Sequence, residues 1–182
     1  MEQIQEQTIK VKIRKAINND LNNIYECHKQ CFEIGDLWYK SIIQQHLNKA
    51  YVIETSSMII GVMLQGNVFA CDNSEKENFI PNDKKNHLHI SDDMLTKEFP
   101  GIIMLCIHPS YRGKGLAKKL IETHFKLNEN NIVAINTRKS NPAYYMYLKM
   151  GYELIGSVTE KYYSPTENSY FMIKILNKEM KL

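Results

Sequence analysis

The chain has 182 residues, of which 43% are hydrophobic and 24% charged, a composition typical of a folded globular protein. The formal net charge of +3 is too small to argue for nucleic-acid binding by itself. The N-terminus lacks the apolar core of a signal peptide, and no run reaches the roughly 18 apolar residues of a membrane span. We therefore expect a cytoplasmic protein, with access to the nucleus left open.

Four cysteines stand at positions 27, 31, 71 and 106. Cys27 and Cys31 lie four residues apart, which places both thiols on one face of a helix, where small buried hydrophobic residues also occur. No second Cys/His pair is nearby. The sequence therefore predicts reduced thiols and no metal site.

The N-terminal part predicts one strand and two helices. Residues 8–16 alternate apolar and basic side chains with period two, the pattern of a half-buried strand. A helix follows, with Asn18 or Asn19 as its N-cap and Asp20 as a favourable first-turn charge. Residues 36–50 predict the second helix.

The next segment predicts a β-hairpin followed by an insertion. Two β-rich runs, 51–55 and 58–70, flank a pair of serines and predict two paired strands. Gly61 indicates a bulge or a close backbone approach. Residues 72–98 are polar, charged and without sustained period, and we interpret them as a long surface insertion.

The C-terminal part alternates strands and helices. Its predicted elements are a strand over 102–107, a helix over 114–128, a strand over 132–137, a helix over 141–150 and final strands over 152–163 and 168–176. This order predicts an α/β or α+β architecture, with a mixed sheet covered by helices on both faces. We expect a single domain over 1–182.

The junction "HPSYRGKGLA" carries two glycines and two cations between a strand and a helix. A helix that begins there leaves its first N–H groups unpaired, and its dipole favours an anion. Gly113 and Gly115 let phosphate oxygens approach the backbone, and Arg112 and Lys114 add positive charge. The spacing is neither GxxxxGK[ST] nor GxGxxG, so neither of those nucleotide-binding loops is indicated.

Two blocks resemble the GNAT superfamily of acetyl-CoA-dependent N-acetyltransferases. The family's Arg/Gln-x-x-Gly-x-Gly/Ala core is present as Arg112-x-x-Gly115-x-Ala117, and "NPAYYMYLKMGYELIG" resembles the second block, where a helix ends as Tyr-x-x-x-Gly-Phe/Tyr. The resemblance implies the GNAT fold, a twisted, mixed but mostly antiparallel sheet of about seven strands that is splayed between the fourth and fifth. It covers most of the chain outside 72–98.

The resemblance implies acetyl-CoA as cofactor, leaving coenzyme A as product. The amides of 112–117 would hold the pyrophosphate, and the strand end would pair with the pantetheine. The implied cofactor-binding residues are Leu105, Cys106, Ile107, Arg112, Gly113, Lys114, Gly115, Leu116, Ala117, Asn141 and Tyr147. For Asn141, capping the helix is the alternative role.

The resemblance also implies two catalytic groups. A backbone N–H at Ile107 or its neighbour would stabilise the oxyanion, and Tyr147 would protonate the thiolate; packing its helix is the alternative for Tyr147. The general base stays unassigned. The usual base positions hold residues that cannot take a proton: Pro100, Gly101, Ile135 and Asn136. His108 is expected near the cofactor phosphates, and the general base is its alternative role.

The tail "KYYSPTENSYFMIKI" and the segment "CFEIGDLWYKSII" resemble the two walls of the substrate slot in protein N-terminal acetyltransferases. This implies a role in substrate binding for Phe32, Ile34, Tyr162 and Tyr163; an aromatic strand pair is the alternative for the tyrosines. An N-terminal acetyltransferase is therefore favoured. The alternatives are a small-molecule amine acetyltransferase, which the missing base supports, and a catalytically weak acyl-CoA-binding module. Neither a nucleic-acid nor a membrane partner is expected, and the oligomeric state is left open.

Overall fold

The computed structural model describes residues 10–33, 37–69, 97–129, 131–138, 140–164 and 167–177. These residues contain seven strands: β1 Lys12–Lys15, β2 Ala50–Glu54, β3 Ile59–Phe69, β4 Glu98–Ile107, β5 Ile132–Arg138, β6 Glu153–Ser164 and β7 Glu167–Ile175. The same described part of the chain has four α-helices: α1 Leu21–Cys31, α2 Lys40–Gln45, α3 Leu116–Leu127 and α4 Ala143–Lys149.

The strands form one mixed sheet in the order β1-β2-β3-β4-β5-β7-β6. β1 with β2, β2 with β3, β5 with β7 and β6 with β7 are antiparallel. β4 and β5 are parallel, and their recorded pairing joins Gly101 to Ala134 and Ile102 to Ile135. α3 supplies the crossover that a parallel pair requires. The predicted seven-stranded, mostly antiparallel sheet is confirmed.

The chain groups into two compact units, one of residues 1–65 with 104–123 and one of 66–103 with 124–182. The first unit buries aliphatic side chains from α1, α2, β2, β3 and α3, among them Ile24, Ile43, Ile53, Ile60, Leu120 and Ile121. The second packs a cluster of Val68, Phe99, Ile132, Ala134, Ile155, Phe171 and Ile173. That the chain is a single domain over 1–182 stays a prediction.

The predicted insertion over 72–98 lies almost wholly outside the described residues. At its end, Glu98 already belongs to β4, which therefore begins earlier than the apolar run over 102–107 indicated. Within the described ranges, no helix is long and apolar enough to cross a membrane.

The helix predicted over 36–50 is shorter in the structure. α2 spans Lys40–Gln45, a 3-10 turn follows, and β2 begins at Ala50. Ile43 is buried whereas Ile42 is 36% exposed, so this short helix buries one side chain, that of Ile43. Tertiary burial therefore stabilises one and a half turns rather than four.

Asp20, predicted as a favourable first-turn charge, lies directly before α1, is buried, and forms an ion pair with Arg14. Arg14 Nη1 lies 2.6 Å from Asp20 Oδ2, and Arg14 Nη2 lies 2.7 Å from Glu54 Oε2. The N–H of Ile17 donates to the same Asp20 oxygen at 2.8 Å. Hydrogen bonding from Arg14 lowers the pKa of Asp20, so this carboxylate stays ionised while it joins β1 to the start of α1.

Two glycines allow close backbone packing in the sheet. A Cβ at Gly61 would lie 2.7 Å from Ile107 Cδ1, which confirms the predicted close approach. A Cβ at Gly101 would lie 2.4 Å from Val68 Cγ2 and 2.6 Å from the carbonyl oxygen of Ala134. The backbone oxygen cannot rotate away, so this position excludes every side chain.

Gly101→Ala is expected to lower the free energy of unfolding by about 2–3 kcal/mol, because the added methyl group overpacks β4 against β3 and β5. Denaturant unfolding measures it. The matched control is Gly66→Ala, whose Cβ would meet the flexible side chain of Ile103 at 3.0 Å and should cost less than about 1 kcal/mol. Equal losses for the two variants would contradict this packing.

His124 is fully buried in α3, and its burial lowers its pKa to about 4. The unfolded chain binds a proton near pH 6.5, so stability is unaffected above that pH and falls as the pH drops towards 4. Relative to His124→Gln, the wild type should lose about 3 kcal/mol of unfolding free energy between pH 7 and pH 4. Urea titrations of both proteins measure this, and parallel pH profiles would contradict it.

Candidate active site

The loop after β4 has the backbone of an anion cradle. β4 ends at Ile107, a 3-10 turn spans Pro109–Tyr111, and α3 begins at Leu116. Gly113 and Gly115 have φ values of +75° and +71°, the left-handed region that a side chain disfavours. A Cβ at either glycine would meet none of the described residues within 4 Å, so the space above this backbone is open to that part of the chain.

The first turn of α3 points its N–H groups into that open loop. The carbonyl of Gly115 already accepts from the N–H of Lys119 at 3.2 Å, so the helical ladder begins at Gly115. The amide groups of residues 116–118 precede that first acceptor pairing and have no partner inside the helix. Together with the exposed Lys114, they give a site suited to a phosphate.

Arg112 supports the loop through its side chain, a role that the sequence did not predict. Its Nε donates to the carbonyl of Ile107 at 3.0 Å, and its Nη2 donates to the carbonyl of Cys31 at 3.3 Å. The guanidinium therefore joins the end of β4 to the end of α1. Its positive charge stays beside the loop.

The end of β4 presents its amide groups in alternation. The N–H of His108 donates to the carbonyl of Ile60 in β3 at 2.8 Å. Successive N–H groups of an extended chain point to opposite edges, so the N–H groups of Ile107 and Leu105 point away from β3. The N–H of Ile107, unlike those of its two neighbours in the chain, therefore points away from β3, and its role as oxyanion donor stays a prediction.

His108 lies beside α1 and the β2–β3 turn. Its Nδ1 accepts from the N–H of Ser110 at 3.3 Å, and its ring meets Tyr111 edge-on at 5.6 Å. It lines a shallow pocket together with Asn23, Glu26, Cys27, Gln30, Ser57, Met58 and Ile59. Its position near the cofactor phosphates stays a prediction.

The second block forms the C-terminal cap of α4, and this cap positions Tyr147. Gly151 has φ +82°, its N–H donates to Leu148 at 3.0 Å, and the N–H of Tyr152 donates to Tyr147 at 3.0 Å. These are the two bonds of a Schellman motif, which explains the Tyr-x-x-x-Gly-Tyr spacing. The Tyr147 and Tyr152 rings pack edge-on at 5.7 Å.

Tyr147 is 5% exposed and Tyr152 is 1% exposed. Burial, with a smaller contribution from Tyr147, raises the pKa of Tyr152 far above its ordinary value, so Tyr152 stays protonated. Tyr152 acts as packing for Tyr147. The catalytic role of Tyr147 stays a prediction.

The usual base positions hold no proton acceptor, as the sequence indicated. Pro100 and Gly101 lie in β4, where Gly101 has no room for a side chain. Ile135 is buried in β5 opposite Met172, and the half-buried Asn136 is opposite Phe171. At these positions the chain offers packing in place of a carboxylate or imidazole.

Asn141 caps the start of α4. Its Oδ1 accepts from the N–H of Ala143 at 2.9 Å, and its carbonyl accepts from Tyr144 at 2.9 Å. The capping alternative is therefore observed, and a contact with the pantetheine stays a prediction.

The predicted substrate residues are partly placed. Phe32 is half-buried directly after α1, with its ring 4.7 Å from that of His28. Ile34 lies outside the described residues. Tyr162 and Tyr163 lie in β6, whose last residue, Ser164, pairs with Glu167 of β7.

Three cysteines lie close together in the structure. The sequence spacing predicted proximity only for Cys27 and Cys31, on one face of a helix. The sulfurs of Cys27, Cys31 and Cys106 all lie within 4.8 Å of one another. Cys27 is buried as predicted, but Cys31 is half-buried, and Cys106 joins them from β4. A signal for that third partner is absent from the sequence because 75 residues separate Cys31 from Cys106. The expected absence of a metal stays a prediction.

Comparisons with known proteins bear on this loop-and-helix arrangement. The family described as "Acetyltransferase (GNAT) domain" matches residues 49–154, which include the loop between β4 and α3 and the C-terminal cap of α4. The chain belongs to the GNAT acetyltransferases. It is an acetyl-CoA-dependent N-acetyltransferase, as the two sequence blocks predicted. A search of curated proteins gave no match.

Solved structures share this fold at low sequence identity. NAA60 of Arabidopsis thaliana, solved with acetyl-CoA, is 20% identical with a TM-score of 0.68, covering 91% of this chain and 99% of that one. The ribosomal-protein-S18-alanine N-acetyltransferase of Escherichia coli is 13% identical with a TM-score of 0.66, covering 95% and 100%. Naa20 of Chaetomium thermophilum, solved with a bisubstrate analogue, is 19% identical with a TM-score of 0.66, covering 91% and 86%.

Proposed function

We propose that this GNAT acetyltransferase acetylates the α-amino group of a protein or peptide N-terminus. The observation that carries the proposal is the position of Tyr162 and Tyr163 near the tip of the β6–β7 hairpin. The family pattern of N-terminal acetyltransferases has tyrosines in this hairpin that close a slot over the substrate's first residues. Phe32 follows α1 directly, in the segment to which the family pattern gives a role in substrate binding.

Structural neighbours support a peptide as the acceptor. The Escherichia coli neighbour is a ribosomal-protein-S18-alanine N-acetyltransferase, and the NatC complex was solved with Gag peptide and CoA. Their TM-scores of 0.66 and 0.65, at identities of 13% and 16%, show a shared fold alone, so the proposal depends on the residues of this chain.

In the proposed complex, the pyrophosphate of acetyl-CoA binds amides of residues 113–117. The N–H of Arg112, also predicted to take part, already donates to the carbonyl of Pro109 at 3.2 Å. The open space above Gly113 and Gly115 admits the phosphate oxygens, and Lys114 adds charge. Each charge at such a helix terminus contributes about 0.3–2 kcal/mol. The backbone of Leu105 and Ile107, which points away from β3, is available to the pantetheine amides.

The reaction needs a neutral amine, an oxyanion donor and an acid. The amine nitrogen attacks the acetyl carbonyl, a C–N bond forms, and the Ile107 N–H stabilises the resulting oxyanion. The C–S bond then breaks, and the Tyr147 hydroxyl protonates the departing thiolate. The amine nitrogen loses its extra proton to water, and water returns a proton to Tyr147.

The missing base departs from the family pattern and supports the small-molecule alternative, but the ionisation of the acceptor favours an α-amine over an aliphatic amine. An α-amino group has a pKa of about 7.7–8.0, so roughly a quarter of it is already neutral near pH 7.4. A lysine-like amine, with a pKa of about 10.4, is neutral in only about one molecule in a thousand. A site with Gly101, Ile135 and Asn136 at the base positions therefore suits an α-amine, because its lower pKa leaves more of it neutral.

The test is an acetyl-CoA turnover assay with peptides of varied first residue, read by mass spectrometry. We expect one acetyl group on the α-amine of a subset of peptides. The matched control is the same peptide with a blocked α-amine and a free internal lysine, which should stay unmodified. Turnover of polyamines or aminoglycosides alone would contradict the proposal and favour the small-molecule alternative.

The place of action is proposed as the cytoplasm, with the nucleus open to the protein. Fluorescence microscopy of the full chain tagged at its C-terminus tests this. An exclusively membrane-bound or secreted signal would contradict it.

A further inference from the structure

The strongest feature outside the proposed acetyl-transfer chemistry is the three-thiol cluster of Cys27, Cys31 and Cys106. Cys27 lies in α1, Cys31 is the last residue of α1, and Cys106 is the penultimate residue of β4. Their sulfurs all lie within 4.8 Å of one another. Cys27 and Cys106 are buried and Cys31 is half-buried, so Cys31 is the one of the three that solvent reaches.

The surroundings of Cys31 favour its thiolate. The thiols of Cys106 and Cys27 hydrogen-bond to Cys31, the charge of Arg112 lies nearby, and together they lower the pKa of Cys31 well below its ordinary value. Hydrogen bonds to Cys27 and Cys31, with burial, raise the pKa of Cys106. Cys31 is therefore the thiol of this pair that ionises, and Cys106 keeps its proton.

We propose that Cys31 is a site of oxidation by hydroperoxides and that Cys106 captures its oxidised form as a reversible disulfide. A reachable thiolate beside a buried partner thiol has the arrangement of a peroxide-sensitive pair. The inference concerns thiol chemistry alone and does not depend on the amine that the protein acetylates.

The two steps balance with a hydroperoxide as the oxidant. The Cys31 thiolate attacks one peroxide oxygen, the O–O bond breaks, and sulfenic acid forms with release of hydroxide or alkoxide. The Cys106 sulfur then attacks the Cys31 sulfur, the S–S bond forms, the S–O bond breaks, and water leaves with the Cys106 proton. A dithiol reductant reverses the disulfide by exchange.

Cys106 is a better partner than Cys27 for this bond. Cβ atoms four residues apart on a helix are about 5–6 Å apart, whereas a disulfide needs about 3.5–4.5 Å. Closing Cys27 to Cys31 would therefore distort α1. Cys106 approaches from a different element, and Arg112 already joins the carbonyls of Cys31 and Ile107 across the same gap.

The test uses the full chain carrying Cys71→Ser, so that the three clustered thiols report alone. Reduced protein is treated with hydrogen peroxide, quenched with an alkylating reagent and mapped by mass spectrometry. We expect loss of two free thiols, a Cys31–Cys106 linked peptide and full recovery with dithiothreitol. Cys31→Ser should slow thiol loss by tenfold or more.

Two further variants separate the steps. Cys106→Ser should leave a Cys31 sulfenic acid that dimedone traps, and Cys27→Ser is the matched control that should still form the Cys31–Cys106 link. A Cys27–Cys31 link in the parent protein would overturn the proposal. So would unchanged oxidation in Cys31→Ser, or a stoichiometric metal that must be chelated before any thiol reacts.

Discussion

Tyr147→Phe is expected to lower kcat for acetyl transfer by about 100-fold or more at pH 7, with little change in the Kd for acetyl-CoA. The substitution removes one hydroxyl and keeps the ring, which packs on Tyr152 at 5.7 Å. A positioned general acid accelerates a reaction by about 10²–10⁴-fold. Without the hydroxyl, the departing thiolate would have no proton donor at this position. Steady-state turnover assays at saturating peptide measure kcat, and calorimetric titration measures the Kd for acetyl-CoA.

The matched control is Tyr145→Phe on the same helix, where the side chain is 59% exposed and loss of the hydroxyl should leave kcat within about twofold. The deficit of Tyr147→Phe should shrink above pH 9, because a thiol with an ordinary pKa near 8.5 leaves there without needing a proton. An unchanged kcat in Tyr147→Phe would mean that this tyrosine only packs α4.

Gly115→Ala is expected to raise the Kd for acetyl-CoA tenfold or more. At φ +71° an alanine costs about 1–2 kcal/mol, so the loop would relax away from the conformation that aims its amides at the phosphates. A Cβ there meets none of the described residues within 4 Å, so the fold itself should tolerate the change. Calorimetric titration with coenzyme A measures the effect.

Gly151→Ala separates backbone strain from cofactor contact. Gly151 has a similar φ of +82°, and its Cβ would meet the flexible end of Lys174 at 2.8 Å. It should lose comparable stability while keeping the affinity for coenzyme A. Equal affinity losses in both glycine variants would attribute the effect to general destabilisation and contradict a phosphate site at Gly115.

Local patterns predicted the parts of the site that depend on local geometry. The glycines at 113 and 115 and the Tyr-x-x-x-Gly-Tyr block could be interpreted from sequence because each specifies a left-handed residue at a helix end. The β6–β7 hairpin and the close approach at Gly61 could be predicted because strand patterns and a glycine within a strand are also local signals. The strands were predicted from residue spacing alone, whereas the two glycine-containing blocks were interpreted through their resemblance to the GNAT superfamily.

Contacts between distant segments could not be predicted this way. Arg112 was assigned to phosphate binding, but its donors reach the carbonyls of Ile107 and Cys31, and the latter lies 81 positions away. Cys106 joins Cys27 and Cys31 through the tertiary fold alone. Asp20 fits a first-turn charge by pattern, and its pairing with Arg14 depends on how β1 meets α1.

The pairing of β2 with β3 explains why α2 is shorter than the sequence predicted. An apolar spacing continued over residues 37–47 and predicted four turns, yet the structure gives one and a half turns followed by a 3-10 turn. The pattern does not show where the chain must turn to enter β2 at Ala50. That position is fixed by the pairing of Ala50 with Leu64.

The most direct test of the central claim is a structure of the protein bound to coenzyme A. The account predicts pyrophosphate oxygens within about 2.7–3.2 Å of amide nitrogens in residues 113–117. Diphosphate density at any other surface, with this loop vacant at saturating cofactor, would contradict it.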